Sequence, residues 1–116
     1  MPTFIPAESM TCEYQRSPLG IDVAGPRLSW RLEAQERDVR QTAYQILVAG
    51  SVSVLEADRG DLWDSGRVAS RRSTLCSYDG PPLRSRQRCY WKVRIWDGHD
   101  QVTPWSATVA AAAPSG

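Results

Sequence analysis

Hydrophobic side chains recur at every second position in three short stretches of this chain. Alternate residues of a β-strand point to opposite faces, so each stretch predicts a strand with one face in a core. The predicted core positions are, stretch by stretch, Leu28, Trp30 and Leu32; Tyr44, Ile46 and Val48; and Cys89, Trp91, Val93 and Ile95. Leu47 lies on the opposite face of the second stretch, which predicts a strand covered on both faces over part of its length.

Turn-forming residues separate these stretches and leave room for shorter strands between them. Asp64-Ser65-Gly66 and Asp97-Gly98 are typical of tight turns. Short strands are predicted at residues 62–64 and 73–78, and a last strand at 102–109 is interrupted near Pro104. Short strands that alternate with turns in this way indicate an all-β, antiparallel sandwich.

One segment predicts a helix instead of a strand. Ser53-Val54-Leu55-Glu56 fits a capping box, in which the Ser53 side chain caps the backbone N–H of Glu56 and the Glu56 carboxylate reaches back. A helix of one or two turns ending before Gly60 follows. Because so short a helix is not stable alone, we predict a helical insertion packed on the sandwich.

The two ends of the chain lack the alternating pattern. Residues 1–9 contain two prolines and predict a flexible lead-in, whereas the alanine-rich residues 110–116 have the composition of a linker stub. The sandwich is therefore assigned to residues 10–109. The whole chain has 116 residues, which is the size of one domain.

Composition narrows the choice of partners. The net charge of +1 gives no support for nucleic-acid binding. No apolar run approaches the ~20 residues that cross a bilayer, and the first residues show no signal peptide. We therefore expect neither nucleic acid nor a membrane as a partner. The odd number of cysteines and the lack of a visible signal favour the cytoplasm.

Residues that could support chemistry are few and scattered. Cys12, Cys76 and Cys89 are widely spaced and predict three buried free thiols, with one disulfide and one spare thiol as the alternative. His99 is the only histidine, so no metal site is predicted, and no motif predicts a cofactor. Asp61 and Asp64 flank Trp63 as acids can in a sugar subsite, but a turn beginning at Asp64 is the preferred interpretation.

Aromatic residues away from the core face are the one functional hint. Tyr90 and Trp96 point opposite to Trp91 in a regular strand, and Trp63 lies beside the two acids. These three residues are candidates either for stacking on carbohydrate or for an interface, and burial is the preferred interpretation. A basic row on one face precedes the strand and predicts a solvated edge that discourages aggregation; it consists of Arg84, Arg86 and Arg88.

Several motifs resemble known families. Residues 83–97 (LRSRQRCYWKVRIWD), followed by Trp105-Ser106, resemble a fibronectin type III-like module. Four further motifs precede them in order: 17–22 (SPLGID), 26–30 (PRLSW), 41–48 (QTAYQILV) and 60–66 (GDLWDSG). Together they resemble the N-terminal domain of bacterial α-L-rhamnosidases of glycoside hydrolase family 78.

The resemblance implies an immunoglobulin or fibronectin type III-like sandwich without catalytic residues. In that family the reaction, an inverting hydrolysis of terminal α-L-rhamnosyl bonds, belongs to a separate helical barrel downstream. The expected function is a non-catalytic accessory module that packs against and supports the other domains of a parent rhamnosidase. The alternatives are a carbohydrate-binding module and a generic protein-interaction domain.

Overall fold

The protein folds into two antiparallel β-sheets. Its structure is a computed structural model that describes residues 4–13, 27–33, 40–74, 76–80 and 89–110. The first sheet has the strand order β1-β2-β5 and the second the order β4-β3-β6-β7. Their bounds are β1 Thr11–Glu13, β2 Arg27–Ser29, β3 Ala43–Ala49, β4 Trp63–Asp64, β5 Cys76–Ser77, β6 Tyr90–Trp96 and β7 Val109–Ala110. One short helix, α1 (Val52–Glu56), follows β3. The predicted all-β sandwich with a short helical insertion is confirmed.

The inner faces of the two sheets share one hydrophobic core. Trp30 follows β2 and Trp91 lies in β6, and their ring centroids are 6.5 Å apart across the gap. Eight of the positions that alternation placed in the core are buried here, and Leu32 and Tyr44 are half-buried against it; the eight are Leu28, Trp30, Ile46, Val48, Cys89, Trp91, Val93 and Ile95. In β6 the residues Trp91, Val93 and Ile95 all face the core, as the pleat of a strand requires, and Lys92 is buried separately on the outer face.

A buried amide stabilises the end of this core. The indole Nε1 of Trp30 donates to Gln41 Oε1 at 3.0 Å. Gln41 Nε2 in turn donates to the carbonyl oxygens of Ser70 and Arg72, at 3.1 and 2.8 Å. Because buried polar groups are costly unless paired, these bonds fix the chain before β3 against the segment after β4.

Hydroxyl groups extend the four-stranded sheet beyond its regular strands. Thr103 donates its backbone N–H to Ile95 O, and its Oγ1 accepts from Ile95 N. Ser106 forms the same pair of bonds with Val93. Pro104 lies between them and has no N–H to donate to a ladder. The side-chain oxygens of Thr103 and Ser106 accept the bonds that backbone carbonyls accept in a regular ladder. The predicted last strand is thus largely a hydroxyl-paired segment, with a regular strand only at its end.

The helical insertion begins two residues earlier than predicted. Ser51 is extended (φ −146°, ψ 152°), and its Oγ accepts from the backbone N–H of Val54 at 3.4 Å. Ser53 therefore lies inside the helix, and the predicted capping box with Glu56 is wrong. The earlier start places Leu55 on the sheet, where it is fully buried. That burial outweighs the reciprocal cap that Ser53 and Glu56 offered.

The segment before β1 differs from the predicted flexible lead-in. Phe4 pairs with Glu33 through two backbone hydrogen bonds, of 3.0 and 2.8 Å. Ile5 is only 4 % exposed and contributes to the main core. Residues Ala7–Ser9 form a 3₁₀ turn, and Ser9 Oγ accepts from the backbone N–H of Arg31. Residues 4–9 thus pack along the sandwich because Ile5 brings apolar area into its core.

Some predicted features lie outside the described residues. They are the motif at 17–22, the basic row of Arg84, Arg86 and Arg88, and residues 111–116 of the alanine-rich tail. Within the described ranges, no helix is long and apolar enough to cross a membrane. All three cysteines are described, and no disulfide forms among them.

Candidate functional site

The outer face of the four-stranded sheet carries cationic side chains that lie over indole rings. Residues of β6 that alternate with the core positions point outward, and β3 pairs with β6 in register across this face. The outward pairs are Gln45 opposite Arg94, Leu47 opposite Lys92, and Ala49 opposite Tyr90. One end of this face is apolar and the other is cationic and aromatic.

The apolar end is covered by the helical insertion. Leu47, Ala49 and Leu55 are at most 1 % exposed and form a second small core. Tyr90 and Trp105 are half-buried against it. The sequence predicted that β3 is covered on both faces near Leu47, and helix α1 provides that cover.

The other end is a row of alternating cations and indole rings, which we name the cation–indole ladder. Its members, in spatial order, are Lys92, Trp105, Arg94, Trp96 and Arg67. The Trp105 centroid is 4.9 Å from Lys92 Nζ and 4.4 Å from Arg94 Cζ. The Trp96 centroid is 5.3 Å from Arg94 Cζ and 4.7 Å from Arg67 Cζ. Each contact lies within the range of a cation–π attraction.

Hydrogen bonds fix the centre of the ladder. Arg94 donates from Nε and Nη2 to Gln45 Oε1, at 3.0 and 2.8 Å. Gln45 Nε2 donates to Asp64 Oδ1 at 2.9 Å. Arg94 and Asp64 are therefore joined only through the Gln45 amide.

The two ends of the ladder are ion-paired directly. Lys92 is 5 % exposed, and its Nζ lies 2.5 Å from Asp58 Oδ1. Asp58 follows helix α1, and its backbone is in the left-handed region at φ 58°. Because Lys92 lies in β6, the ion pair connects the helical insertion to that strand. Arg67 pairs with Asp100 at the exposed end. Among the described residues Arg94 is the ladder cation that has no carboxylate partner.

The three aromatic residues singled out from the sequence lie in different surroundings. Trp96 belongs to the ladder, and Tyr90 packs under the helical insertion on the same face. Trp63 lies elsewhere, against the main core, with its ring 5.4 Å from that of Tyr78 in an edge contact. The structure thus brings Tyr90 and Trp96 onto one face and separates Trp63 from them.

Sequence reasoning missed Trp105 and Arg94 as parts of the site. Trp105 follows Pro104 in the hydroxyl-paired segment, which is not a regular strand. The alternation that shows which face a strand residue occupies is therefore missing for Trp105. Arg94 was visible as an outward residue of β6, but its indole neighbours come from other parts of the chain. The Trp105-Ser106 pair was the one signal available, because Ser106 holds the segment against Val93.

The candidate acids hold local backbone structure. Asp61 Oδ1 accepts from the Gly50 N–H at 3.0 Å. Asp64 Oδ1 accepts from the Gly66 N–H at 2.8 Å, which forms the predicted turn. Asp97 Oδ1 accepts from the backbone N–H groups of His99 and Gln101. No group of three metal-ligating side chains occurs within the described ranges.

Shifted acid–base groups lie on the inner side and not on the ladder. Burial raises the pKa of the Cys76 thiol and of the Tyr44 and Tyr78 hydroxyls. Desolvation disfavours the charged form of each group. These groups therefore stay protonated at neutral pH, where they act as parts of the core.

Comparison with known proteins places this geometry in a family. The model of the family described as "Rha78A-like, N-terminal immunoglobulin domain" matches residues 7–113. An α-L-rhamnosidase of Streptomyces avermitilis is 46 % identical over 99 residues, which are 85 % of this chain and 9 % of that protein. An α-L-rhamnosidase of Formosa agariphila is 39 % identical over 90 residues, which are 78 % of this chain and 10 % of that protein.

Solved structures show the same likeness. A crystal structure of Streptomyces avermitilis α-L-rhamnosidase complexed with L-rhamnose superposes with a TM-score of 0.82 at 41 % identity, over 97 % of this chain and 11 % of that one. The chain thus spans about a tenth of the length of the curated relatives it matches. Because the family model matches nearly all of the sandwich, the chain belongs to the Rha78A-like N-terminal immunoglobulin domain family.

Proposed function

We propose that this chain is the non-catalytic β-sandwich module of an α-L-rhamnosidase and that it packs against and supports neighbouring domains. The parent enzyme would hydrolyse terminal α-L-rhamnosyl bonds with inversion. The relatives named above support this assignment, since each is an α-L-rhamnosidase about ten times as long as the matching region.

The observation that carries the packing role is the cation–indole ladder. Trp and Arg are the residue types that are enriched in the buried centres of protein interfaces. Here Trp96, Trp105 and Arg94 are half-buried and mutually stacked on one sheet face. Their stacking limits their rotamers before a partner arrives, so docking would cost little further side-chain entropy.

The positions of the carboxylates support a non-catalytic role. Glycoside hydrolysis needs two carboxyl groups that face each other across a sugar, about 5–10 Å apart. Asp61 and Asp64, the pair nearest to such an arrangement in sequence, accept hydrogen bonds from the backbone of Gly50 and Gly66. The chemistry is therefore assigned to another part of the parent protein.

Carbohydrate binding through Trp63, Tyr90 or Trp96 is the second candidate. A sugar stacks on a free indole face, and arginine guanidinium groups lie over the Trp96 ring at 4.7 and 5.3 Å. Trp63 and Tyr90 pack against the two hydrophobic clusters. These contacts favour an interface over a sugar platform. A generic protein-interaction domain is the third candidate, and the reading frame around these residues would separate it from the first.

A rhamnoside assay tests the non-catalytic assignment. The purified chain should unfold cooperatively, and it should release no phenol from an aryl α-L-rhamnoside. Hydrolysis that co-purifies with the chain and is lost when the chain is thermally unfolded would contradict the proposal.

A titration tests the sugar alternative. Adding L-rhamnose up to high millimolar concentration should leave the tryptophan fluorescence without a saturable change. A saturable change that disappears in Trp96→Leu but persists in Trp63→Leu would assign sugar binding to the ladder and replace the packing role.

A further inference from the structure

We infer that Arg94 anchors this surface and that the neighbouring domain presents a carboxylate side chain to it. The inference rests on the proposed function, because it names the contact through which the module docks. Its basis is the difference between Arg94 and the other two cations of the ladder.

Arg94 is held in place on several sides. Indole rings of Trp105 and Trp96 lie 4.4 and 5.3 Å from its Cζ. Gln45 Oε1 accepts from both Nε and Nη2, which fixes one edge of the guanidinium plane. A guanidinium that is fixed before binding loses little conformational freedom when it meets a partner.

No carboxylate among the described residues neutralises the charge of Arg94. Lys92 and Arg67 each pair with a carboxylate, those of Asp58 and Asp100. Within the described part of the chain, the hydrogen bonds of Arg94 go to a neutral amide oxygen alone. Half-buried cations without an acid partner are unfavourable, so a carboxylate from outside would complete this site.

The geometry of the free edge specifies the chemistry of the partner. Gln45 Oε1 accepts from the Nε–H and from one N–H of Nη2. The other edge of the guanidinium, which consists of Nη1 and the second N–H of Nη2, faces away from Gln45. That end presents two parallel N–H groups, which match the two oxygens of a carboxylate. An Asp or Glu side chain on the adjoining domain fits this edge better than a sugar hydroxyl, which carries no charge.

Thiol labelling in two contexts tests the inference. Cys89 precedes β6 and is 1 % exposed, so its alkylation reports how often this module opens. Its labelling rate would be measured, by peptide mass spectrometry, in the 116-residue chain and in the full-length protein. Docking should make labelling at least tenfold slower in the full-length protein.

Two variants separate the ladder cations. Arg94→Met keeps an apolar stem between the indoles and should remove most of that tenfold protection, while changing the rate in the 116-residue chain much less. Arg67→Met is the matched control, because Arg67 also lies over Trp96 but is already paired. It should change the protection by less than threefold. If Arg94→Met fails to fold, Arg94→Lys should show a partial loss of protection.

The outcomes distinguish the proposed docking of the module from the proposed role of Arg94 as its anchor. Equal Cys89 labelling in the 116-residue chain and the full-length protein would overturn the docking role and the anchor together. Protection that survives Arg94→Met would overturn the anchor alone and leave docking in place. Slowing of labelling that appears in the 116-residue chain with rising concentration and is lost in Arg94→Met would make a second copy the occupant, which also overturns the proposed carboxylate of a neighbouring domain.

Discussion

The two faces of the four-stranded sheet are built by different means. The inner face buries Ile46, Val48, Trp91, Val93 and Ile95 to at most 1 % exposure, and these residues contact the other sheet. The outer face carries the cation–indole ladder, and its central residues Arg94, Trp96 and Trp105 stay half-buried. The core residues of the inner face are packed against the other sheet, whereas on the outer face the guanidinium of Arg94 has no acid partner among the described residues. Stability should therefore depend on the inner face and recognition on the outer one.

Truncating one tryptophan on each face gives the largest expected difference. Trp91→Ala should lower the free energy of unfolding by about 3–5 kcal/mol, because it removes a fully buried side chain and leaves a cavity. Trp105→Ala should cost about 1–2 kcal/mol, since Trp105 is only half-buried. Urea unfolding followed by circular dichroism measures both. Equal losses would show that the outer face contributes to folding as much as the core does.

A matched pair of substitutions within the inner face isolates one hydrogen bond. Trp30 and Trp91 are both buried, but only Trp30 Nε1 has a partner, Gln41 Oε1; Trp91 Nε1 is buried without one among the described residues. Trp30→Phe should therefore cost about 1–3 kcal/mol more than Trp91→Phe, because it leaves the Gln41 oxygen unpaired. Chemical unfolding of both variants measures the difference. A larger loss for Trp91→Phe would mean that packing outweighs this bond.

The inner face could be predicted from the sequence, and particular residues show why. Trp91, Val93 and Ile95 alternate with outward residues, and a regular pleat converts that spacing directly into burial. Leu47 also stood out, because an apolar residue on the opposite face of β3 requires a cover. The cover itself was misplaced by two residues, since the capping pattern at Ser53 is local and the burial of Leu55 that selects Ser51 is not.

The ladder could not be predicted, because its contacts join distant parts of the chain. Arg94 and Trp96 are close in sequence, but Trp105 reaches Arg94 only after the chain turns and Pro104 breaks the strand. Arg67 lies over Trp96 because the neighbouring residue Val68 pairs with Tyr44 of β3. No periodicity encodes such contacts. Trp63 shows the opposite case, because its sequence neighbours already favoured a turn over a sugar subsite and its ring packs on Tyr78.

A smaller effect is expected from the buried charge of the outer face. Lys92→Met should change the free energy of unfolding by less than about 1 kcal/mol, because an apolar side chain avoids the desolvation that the ammonium undergoes. Asp58→Asn should be more destabilising, by about 1–2 kcal/mol, since it leaves the buried Lys92 ammonium without its carboxylate partner. Thermal unfolding of both variants tests the asymmetry. A loss above 2 kcal/mol for Lys92→Met would place the ladder among the elements needed for folding.

The smallest expected effect is a dependence of stability on alkaline pH that originates on the inner side. Burial raises the pKa of the Cys76 thiol above its ordinary value of 9.0. Below pH 9 the thiol is protonated in both the folded and the unfolded chain, so it adds no pH dependence. Above pH 9 the unfolded chain loses this proton while the folded chain keeps it, so stability should fall as pH rises towards the folded pKa.

Comparison with Cys76→Ala separates this thiol from other groups. Burial also raises the pKa of Tyr44 and Tyr78 above 10.0, so they act in the same direction at higher pH. Between pH 9 and 10, under reducing conditions, the unfolding free energy of Cys76→Ala should therefore decline less steeply than that of the original chain. Equal slopes would mean that water reaches Cys76 in the folded state. The inner face would then be less dry than its burial indicates, and the contrast with the outer face would weaken accordingly.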